Sequence, residues 1–383
     1  MGQLHICIGF AEALPAPEVV FDLRNAGYRV SAFARTARPT LIHLGVSITQ
    51  IPAPETDVQA ATAAIQTLMQ GHDAPDYILP LDDTGLWLVD RAIGDDPRNA
   101  GASGAQATAA LDKAQQTRAA QVAGLDVPPT QITGEPDDTQ VPYPAIARPA
   151  LAVRVTDNHL GKDDPVYLVS DTDAGQLDPS NGPYLIQPLI TGTGEGVFGI
   201  MTDQGVAAWS GHRRLRMMNP HGSGASACQS ITPDPALCAK IETFLDDIGW
   251  RGPFMIELLR DADGTCWFME LNGRQWGSLA LARRQGFAYP AWAIAQKTNA
   301  DFTPPAITGA PRIQRHLGRE LLHLLFVLRG PKSNFHKASW PSFWASLRGV
   351  FTPAPLSSFY NYDPKHRGYL IRDTLATLKK VLR

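Results

Sequence analysis

The alternation of apolar and polar positions divides the first hundred residues into short buried strands and amphipathic helices. Apolar runs over residues 4–9, 28–33 and 77–81 predict strands, and residues 17–25 have the spacing of a helix. Strands that alternate with helices favour a parallel α/β sheet. A pair of aspartates, residues 82–83, ends the last of these strands, where parallel sheets bind ligands; a turn or a helix cap explains the pair equally well.

Farther along the chain, strands follow one another with only turns between them. Helical spacing covers fewer segments, namely residues 105–124, 236–248 and 278–299. The overall pattern predicts a mixed α/β (α+β) protein with a parallel sheet at the N-terminal end. The segments predicted to contain strands are residues 141–170, 183–210, 253–260 and 265–271.

Composition places the chain among globular proteins, and the charge distribution sets its C-terminal part aside. Of the 383 residues, 44% are hydrophobic and 19% are charged, and the net charge is −3. From residue 310 onward, thirteen Lys and Arg residues stand against three acidic ones. Such a basic segment contacts an anionic membrane surface or an acidic partner, or it is a solvated outer face. Its aromatic residues show no nucleic-acid-binding pattern, so no nucleic-acid partner is expected.

The cysteines and the apolar runs bear on the compartment. The four cysteines have no metal-ligand spacing and are expected to be reduced, buried thiols. No basic stretch precedes an apolar run near residue 1, and the apolar run over residues 321–328 is too short to span a bilayer. These features together favour a cytoplasmic location.

The strongest chemical signal lies in the last predicted pair of strands. A hairpin with its turn at residues 261–264 places Glu257 opposite Phe268, so that Glu270 and Asn272 project from the same face as Glu257. Two carboxylates on apolar strands repel each other unless a cation joins them, and oxygen-only ligands suit Mg²⁺ that carries substrate phosphates. The alternative is an ordinary exposed hairpin with polar edges, and a β-bulge would shift the register.

The order Glu257…Glu270-x-Asn272-x-Arg274 at the end of a hairpin resembles the metal-binding signature of the ATP-grasp superfamily, especially its carboxylate–amine ligase branch. The resemblance covers roughly residues 98–300. The organisation that it implies is an N-terminal α/β domain over residues 1–97, an ATP-grasp domain over 98–302 with a lid subdomain at about 125–185, and a basic C-terminal extension over 303–383.

The resemblance also implies a cofactor, ATP with Mg²⁺ or Mn²⁺, and a role for each matching residue. The metal ligands that it implies are Glu257, Glu270 and Asn272. The residues implied to contact the nucleotide are Lys113, Arg148, Gln187, Pro188, Leu189, Ile190 and Glu195. The residues implied to act at the reacting phosphate and carboxylate are Arg213, Arg214 and Arg274. Without the resemblance, the pattern would indicate that Lys113 is a solvated helix residue and that Arg213 and Arg214 belong to an exposed basic strand.

The activity that the resemblance implies is ATP-dependent ligation. A small-molecule carboxylate becomes an acyl phosphate, and a small-molecule amine then displaces phosphate to form an amide. Because water hydrolyses an acyl phosphate, a mobile lid over residues 145–185 is expected. Two departures from the family pattern favour a catalytically weakened ATP-binding or scaffold protein as the alternative: Arg148 replaces the usual lysine, and Gly161 is the only glycine of the lid turn. A third hypothesis keeps the ligase but gives it a thiol or hydroxyl acceptor.

Overall fold

The N-terminal part folds as a four-stranded parallel sheet, in the order β3-β2-β1-β4. The computed structural model describes residues 2–135, 139–178, 180, 182–222, 224–307, 310–332, 335, 337 and 339–382. The alternation of strand and helix is confirmed. The elements are β1 (His5–Gly9), α1 (Ala16–Asn25), β2 (Arg29–Ala34), β3 (Ser47–Gln50), α2 (Val58–Gln70), β4 (Tyr77–Pro80) and α3 (Asp83–Ile93).

Two short helices then lead to a small four-stranded sheet, ordered β5-β10-β6-β9, and to a separate hairpin made of β7 and β8. These strands confirm the short strands predicted for residues 141–170. The elements are α4 (Gly104–Leu111), α5 (Lys113–Val122), β5 (Gln131–Ile132), β6 (Ala145–Pro149), β7 (Arg154–Thr156), β8 (His159–Gly161), β9 (Val166–Leu168), α6 (Asp171–Ala174) and β10 (Tyr184–Pro188).

The largest sheet has six antiparallel strands in the order β15-β14-β11-β12-β13-β16. Its last strand comes from the basic C-terminal segment. The elements are β11 (Thr193–Thr202), β12 (Gly205–Met217), β13 (Ala225–Ile231), α7 (Pro235–Asp247), β14 (Gly252–Arg260), β15 (Cys266–Asn272), α8 (Leu279–Arg284), α9 (Tyr289–Thr298), β16 (Ile313–Arg315), α10 (Leu317–Arg329), α11 (Phe343–Phe351) and α12 (Tyr369–Leu382).

Two helices that the spacing predicts as continuous are interrupted. The helix expected over residues 105–124 breaks at Asp112, whose side chain caps α5 by accepting hydrogen bonds from two backbone N–H groups of its first turn. The helix expected over residues 278–299 breaks at Gly286, which adopts a φ of 93° that a helix does not allow. Apolar periodicity persists across both breaks, so it cannot reveal them.

The register predicted for the β14–β15 hairpin is wrong, although the shared face is confirmed. Glu257 pairs with Glu270 and not with Phe268. The strands leave the turn one residue out of the predicted register, with Leu258 opposite Phe268, and a bulge between Glu257 and Leu258 adds one more residue to β15. Together these two shifts move Glu270 from a diagonal position to one directly opposite Glu257. The two carboxylates are therefore closer neighbours than the sequence predicts.

The two faces of the six-stranded sheet pack against different partners. One face, which includes Phe198 and Met255, packs with the N-terminal parallel sheet and with α8 and α9 in one core. The opposite face, which includes Leu258 and Phe268, packs with α7 in a second core. Since directly paired residues share a face, Glu257 and Glu270 belong to the face that looks toward the N-terminal part.

The basic C-terminal segment is partly internal. Arg315 is 4% exposed, and its guanidinium donates to the carbonyl oxygens of Val350 and Thr352 at the end of α11. Phe359 bridges to Arg315 along the edge of the large sheet. The interpretation of the whole segment as a solvated outer face is therefore wrong, because several of its charges hold its own helices to the sheet.

The cysteines are free, as expected, but only three of the four are buried. All four are free, and Cys7, Cys228 and Cys266 are buried while Cys238 is half-buried. Burial raises the pKa of the Cys7 thiol to about 12, which keeps it protonated at neutral pH. No helix within the described residues has the length and apolar character needed to cross a bilayer.

Candidate functional site

Two carboxylates lie side by side on the large sheet, and each meets a basic side chain. Glu257 on β14 and Glu270 on β15 are cross-strand partners. Arg214 Nη2 on β12 lies 2.7 Å from Glu257 Oε1. Arg148 Nη2, on β6 of the small sheet, lies 3.0 Å from Glu270 Oε2, and Lys113 Nζ lies 3.8 Å from the same oxygen. The cleft between the small and large sheets thus brings two acids and three cations together.

Local structure explains why two of these cations reach the cleft. Asp112 caps α5, so Lys113 becomes the first residue of that helix. The Lys113 backbone N–H donates to the Ala150 carbonyl oxygen at 2.7 Å, which ties α5 to the end of the strand that carries Arg148. Arg148 Nη1 also donates to the Met269 carbonyl oxygen at 3.0 Å. The planar guanidinium therefore joins the small sheet to β15 at two points.

The carboxylate of Glu257 is held in its charged form. Burial alone would raise its pKa, but the charge and hydrogen bond of Arg214 outweigh burial and bring the pKa below its ordinary value. Burial also lowers the pKa of Lys113, an effect that Glu270 partly offsets. An anionic Glu257 beside a cationic Arg214 can offer a ligand to a metal ion and a donor to a phosphate group.

Arg274 joins the large sheet to the N-terminal part. Its Nε lies 3.0 Å from Asp83 Oδ1, and Lys162 Nζ lies 3.6 Å from Asp83 Oδ2. Burial raises the pKa of Asp83, but the charges of Arg274 and Lys162 lower it further, to about 2. Asp82 caps α3 by accepting from the Gly85 N–H at 2.7 Å. The aspartate pair thus has both roles considered for it: Asp82 caps a helix and also lines a cavity beside Glu257 and Glu270, and Asp83 pairs with Arg274 in the wall of that cavity.

The β7–β8 hairpin lies against the N-terminal part. Asn158, in the turn of this hairpin, has a φ of 67° and donates through Nδ2 to Asp57 Oδ1 at 2.8 Å. Its own side-chain oxygen accepts from the Gln59 N–H at 3.0 Å. These contacts hold the hairpin against the N-terminal part, with Lys162 beside the Asp83–Arg274 pair. The hairpin belongs to the segment for which a lid is expected.

The expected nucleotide segment at the end of β10 lies beside Arg148. Gln187 is 2% exposed; its Nε2 donates to Thr130 Oγ1 at 2.9 Å, and its Oε1 lies 3.5 Å from Arg148 Nη1. The Leu189 N–H donates to the Pro144 carbonyl oxygen at 2.8 Å. The half-buried residues that follow Gln187 at the end of the strand are Pro188, Leu189 and Ile190.

Two of the expected site residues do not join this cluster. Glu195 pairs with Leu258 and Arg213 across the sheet, so both charged side chains belong to the face opposite Glu257. Glu195 Oε2 lies 2.9 Å from Arg260 Nη2, and its other oxygen lies 3.9 Å from Arg213 Nε. The sequence places Arg213 and Arg214 together, but strand alternation sends only Arg214 into the cleft.

A cavity of about 330 Å³ opens beside the two carboxylates. A larger cavity of about 590 Å³ shares Arg274 and Gln275 as part of its wall but contains neither Glu257 nor Glu270, so the smaller one is the better candidate for a reaction site. Several polar atoms in its wall are buried without a hydrogen-bond partner among the described residues. These atoms are His212 Nε2, Arg214 Nε, Gln275 Oε1 and Trp276 Nε1. Buried polar atoms without partners are costly, so this wall is suited to a polar ligand.

Sequence reasoning missed two residues of this cavity, and both come from the C-terminal segment. Arg319 on α10 and Tyr360 line the cavity, and Arg319 Nη1 donates to the Ala225 carbonyl oxygen at 3.1 Å. No carboxylate lies within ion-pair distance of Arg319 among the residues that the structure describes. Burial lowers the pKa of Arg319, which reflects the cost of its unpaired charge. The only sequence signal for Arg319 was the excess of Lys and Arg over Asp and Glu after residue 310.

The oxygen donors fit magnesium better than a metal that needs a full protein cage. The described residues contain no group of three or more His, Cys, Asp and Glu side chains arranged to hold a metal ion. Glu257 and Glu270 share a face, and Asn272, 6% exposed, follows on that face with its Nδ2 at 3.2 Å from Met255 Sδ. Magnesium is commonly held by one or two carboxylates together with substrate phosphates, and this donor set matches that chemistry.

A neutral buried histidine in the cavity wall predicts acid sensitivity. Burial and the charge of Arg214 lower the pKa of His212 to about 3, whereas an unfolded chain titrates near 6.5. The unfolded state therefore binds more protons between these values, so this stabilisation is complete above pH 6.5 and declines as the pH falls. We expect His212→Gln to reduce the stability loss between pH 7 and pH 5 by about 2 kcal/mol relative to the wild type.

Urea unfolding at the two pH values measures this difference, with His72→Gln as the control because His72 is exposed. Equal losses in the wild type and in His212→Gln would contradict a neutral buried imidazole.

Comparison with solved structures gives many matches that cover most of this chain. The L-amino acid ligase from Bacillus licheniformis is 15% identical, with 77% of this chain and 73% of that chain covered and a TM-score of 0.59. The N5-carboxyaminoimidazole synthetase from Staphylococcus aureus, in complex with ADP, is 14% identical, with 88% and 87% covered and a TM-score of 0.62.

A third match holds a nucleotide with its metal. The biotin carboxylase domain of the Hydrogenobacter thermophilus 2-oxoglutarate carboxylase, in complex with MgADP, ADP and bicarbonate, is 12% identical, with 82% and 75% covered and a TM-score of 0.62. No family model matches this chain. No curated protein matches it in sequence either. The structural likeness confirms the mixed α/β fold with an N-terminal parallel sheet that the sequence predicts.

Proposed function

We propose that the protein is an ATP- and magnesium-dependent ligase that activates a carboxylate as an acyl phosphate and joins it to an amine. The observation that carries the proposal is the cross-strand pair Glu257–Glu270, facing the cleft between two sheets and matched by Arg214, Arg148 and Lys113. The pair supplies metal ligands, and the cations offset the charge of a triphosphate. The ATP-grasp fold and its nucleotide-bound neighbours agree with this assignment.

The residues around the pair divide the work of phosphoryl transfer. Glu257, Glu270 and Asn272 would hold magnesium, which would offset the negative charge of the phosphates. Lys113 and Arg148 would then face the phosphates from the side of the small sheet. Gln187 and the strand end that follows it would hold the adenine through backbone groups and an apolar slot. Glu195 is not assigned to the ribose, because it lies on the other face of the large sheet.

The reacting carboxylate would bind next to Arg214 and Arg274 in the 330 Å³ cavity. A carboxylate oxygen attacks the γ-phosphorus and ADP leaves; the amine nitrogen then attacks the acyl carbon, loses a proton, and phosphate leaves. A carboxylate is a poor electrophile, and this activation makes the second step feasible. The arginines stabilise the negative charge that gathers on the phosphoryl group.

The substrate is proposed to be a small molecule with a second anionic group. Arg319 is a half-buried cation with no carboxylate partner among the described residues, and it lines the same cavity as Glu257. A buried charge without a partner favours a ligand of opposite charge. The adjacent Trp276 Nε1 and Gln275 Oε1 offer one donor and one acceptor to the same ligand.

The test is magnesium-dependent phosphate release from ATP with pools of carboxylic acids and amines, with product identification by mass spectrometry. We expect phosphate release only when both an active carboxylate and an active amine are present. Release with a thiol or alcohol pool in place of the amine would keep the activation step and change the acceptor. No turnover with any pool, despite ATP binding, would favour the scaffold hypothesis.

The weakened-enzyme alternative depends on Arg148, and the same assay examines it. The planar guanidinium of Arg148 donates both to Glu270 and to the Met269 carbonyl oxygen. A lysine ammonium has no such planar fork and cannot reproduce both contacts in the same geometry. We therefore expect Arg148→Lys to lower the rate. A rate increase would mark the arginine as a handicap and support the alternative.

A further inference from the structure

One helix of the C-terminal segment is docked on its inner side and exposed on its outer side. On the inner side of α11, Ser346 Oγ lies 3.0 Å from His323 Nε2 of α10, and Val350 is buried. Arg315 donates to the carbonyl oxygens of Gly349 and Val350 at the C-terminal end of the helix. The orientation of α11 is therefore fixed by the body of the protein.

The other side of this helix carries large apolar groups into solvent. Trp344 is 74% exposed and Phe351 is 65% exposed, and no other aromatic side chain among the described residues is exposed. Leu347 and Arg348 lie between them and line the same shallow groove. We call these four residues the α11 outer face; their spacing puts them on one stripe of the helix. Leu356, 54% exposed, follows in the next loop.

The stretch of chain that contains this face carries charge of one sign. Residues 321–362 contain no Asp or Glu, whereas the chain as a whole has a net charge of −3. The basic residues of this stretch are Arg329, Lys332, Lys337 and Arg348, and all four are exposed. A stripe that carries Trp, Phe and Arg348, in a stretch of chain whose charges are all positive, is complementary to a membrane surface with an apolar interior and anionic headgroups.

We propose that the α11 outer face binds the surface of an anionic lipid bilayer, with Trp344 and Phe351 inserted at the level of the headgroups. Nucleic acid would satisfy the charges but offers no apolar layer for Leu347 and Phe351. A second copy would set Arg348, which lies within the face, near its own counterpart in a two-fold contact, and this like-charge contact is unfavourable. This binding site is independent of the ligase site, because α11 contributes no residue to the 330 Å³ cavity.

Vesicle sedimentation with the full-length protein tests the proposal. We expect at least about tenfold more binding to vesicles of equal parts phosphatidylcholine and phosphatidylglycerol than to phosphatidylcholine alone, decreasing as salt is raised. The double variant Trp344→Ser/Phe351→Ser should lose about tenfold or more of this binding. The matched control is Val122→Ser on α5, which removes an apolar side chain that is 81% exposed and should leave binding unchanged.

A spectroscopic measurement checks that the helix itself inserts. Tryptophan emission should shift to shorter wavelength on anionic vesicles, and Trp344→Phe should bind but lose most of that shift. Failure of the wild type to bind anionic vesicles, or equal loss in the Val122→Ser control, would overturn the proposal. So would a lipid-free dimer, seen by sedimentation velocity, that the double variant abolishes, because a second copy would then be the occupant.

Discussion

Replacing Glu257 by Gln is expected to lower the rate of ATP-dependent ligation by roughly three orders of magnitude, on the scale seen when a group that supports transition-state charge is removed. The neutral amide keeps the shape of the side chain but no longer offers a charged metal ligand. It also leaves the Arg214 guanidinium, now 2.7 Å from the carboxylate, without its partner. Magnesium-dependent binding of ATP should weaken as well, because the metal and the nucleotide bind together.

Steady-state kinetics and calorimetry of ATP binding with and without magnesium measure these effects. The control is Glu135→Gln, which removes a carboxylate from an exposed ion pair with Arg118. Neither residue of this pair lines the 330 Å³ cavity. We expect this control to keep the wild-type rate, because exposed ion pairs contribute little to stability. If Glu257→Gln bound magnesium and ATP like the wild type, the cross-strand pair would not be the metal site.

Replacing Arg319 by Gln is expected to raise the KM for the carboxylate substrate by roughly 30- to 150-fold, which corresponds to about 2–3 kcal/mol for a lost charged hydrogen bond. The KM for ATP should stay close to the wild-type value, because Arg319 lies in the substrate cavity and not between the sheets. A merely structural role would change both constants together or lower the amount of folded protein.

The measurement is the pair of KM values for the carboxylate identified in the pool assay and for ATP. Arg367→Gln is the matched control, since Arg367 is an exposed arginine of the same segment. An unchanged carboxylate KM in Arg319→Gln would remove the second anionic group from the proposed substrate.

The sequence predicts the fold and the central acidic pair, but not the geometry of that pair. Spacing places Glu257, Glu270 and Asn272 on one face because strand alternation has a period of two residues. The bulge that sets Glu257 opposite Glu270 leaves no mark in the composition of the strand. A hydrophobic pattern predicts which residues of two strands face each other only where the hydrogen-bond ladder between the strands is regular.

The residues that sequence reasoning missed owe their roles to tertiary contacts. Arg319 is one of many basic residues after residue 310, and nothing in its neighbours along the chain distinguishes it. It reaches the cavity because β16 joins the edge of the large sheet and turns α10 toward β13. Glu195 and Arg213 show the opposite case. Their positions in the sequence suggest site residues, but their side chains lie on the other face of the same sheet.

The attachment of the C-terminal segment has a consequence for how this architecture can diversify. Glu18 of α1, 2% exposed, accepts a hydrogen bond from the Asn361 N–H and pairs with Arg283, which secures Tyr360 beside the cavity. In the proposed function, the two sheets would carry the catalytic chemistry, whereas a later segment, attached to the first helix, would contribute to substrate choice. Exchanging that segment, with its anchor at Glu18 preserved, would offer a route to new carboxylic acid substrates while the proposed nucleotide-binding site stays unchanged.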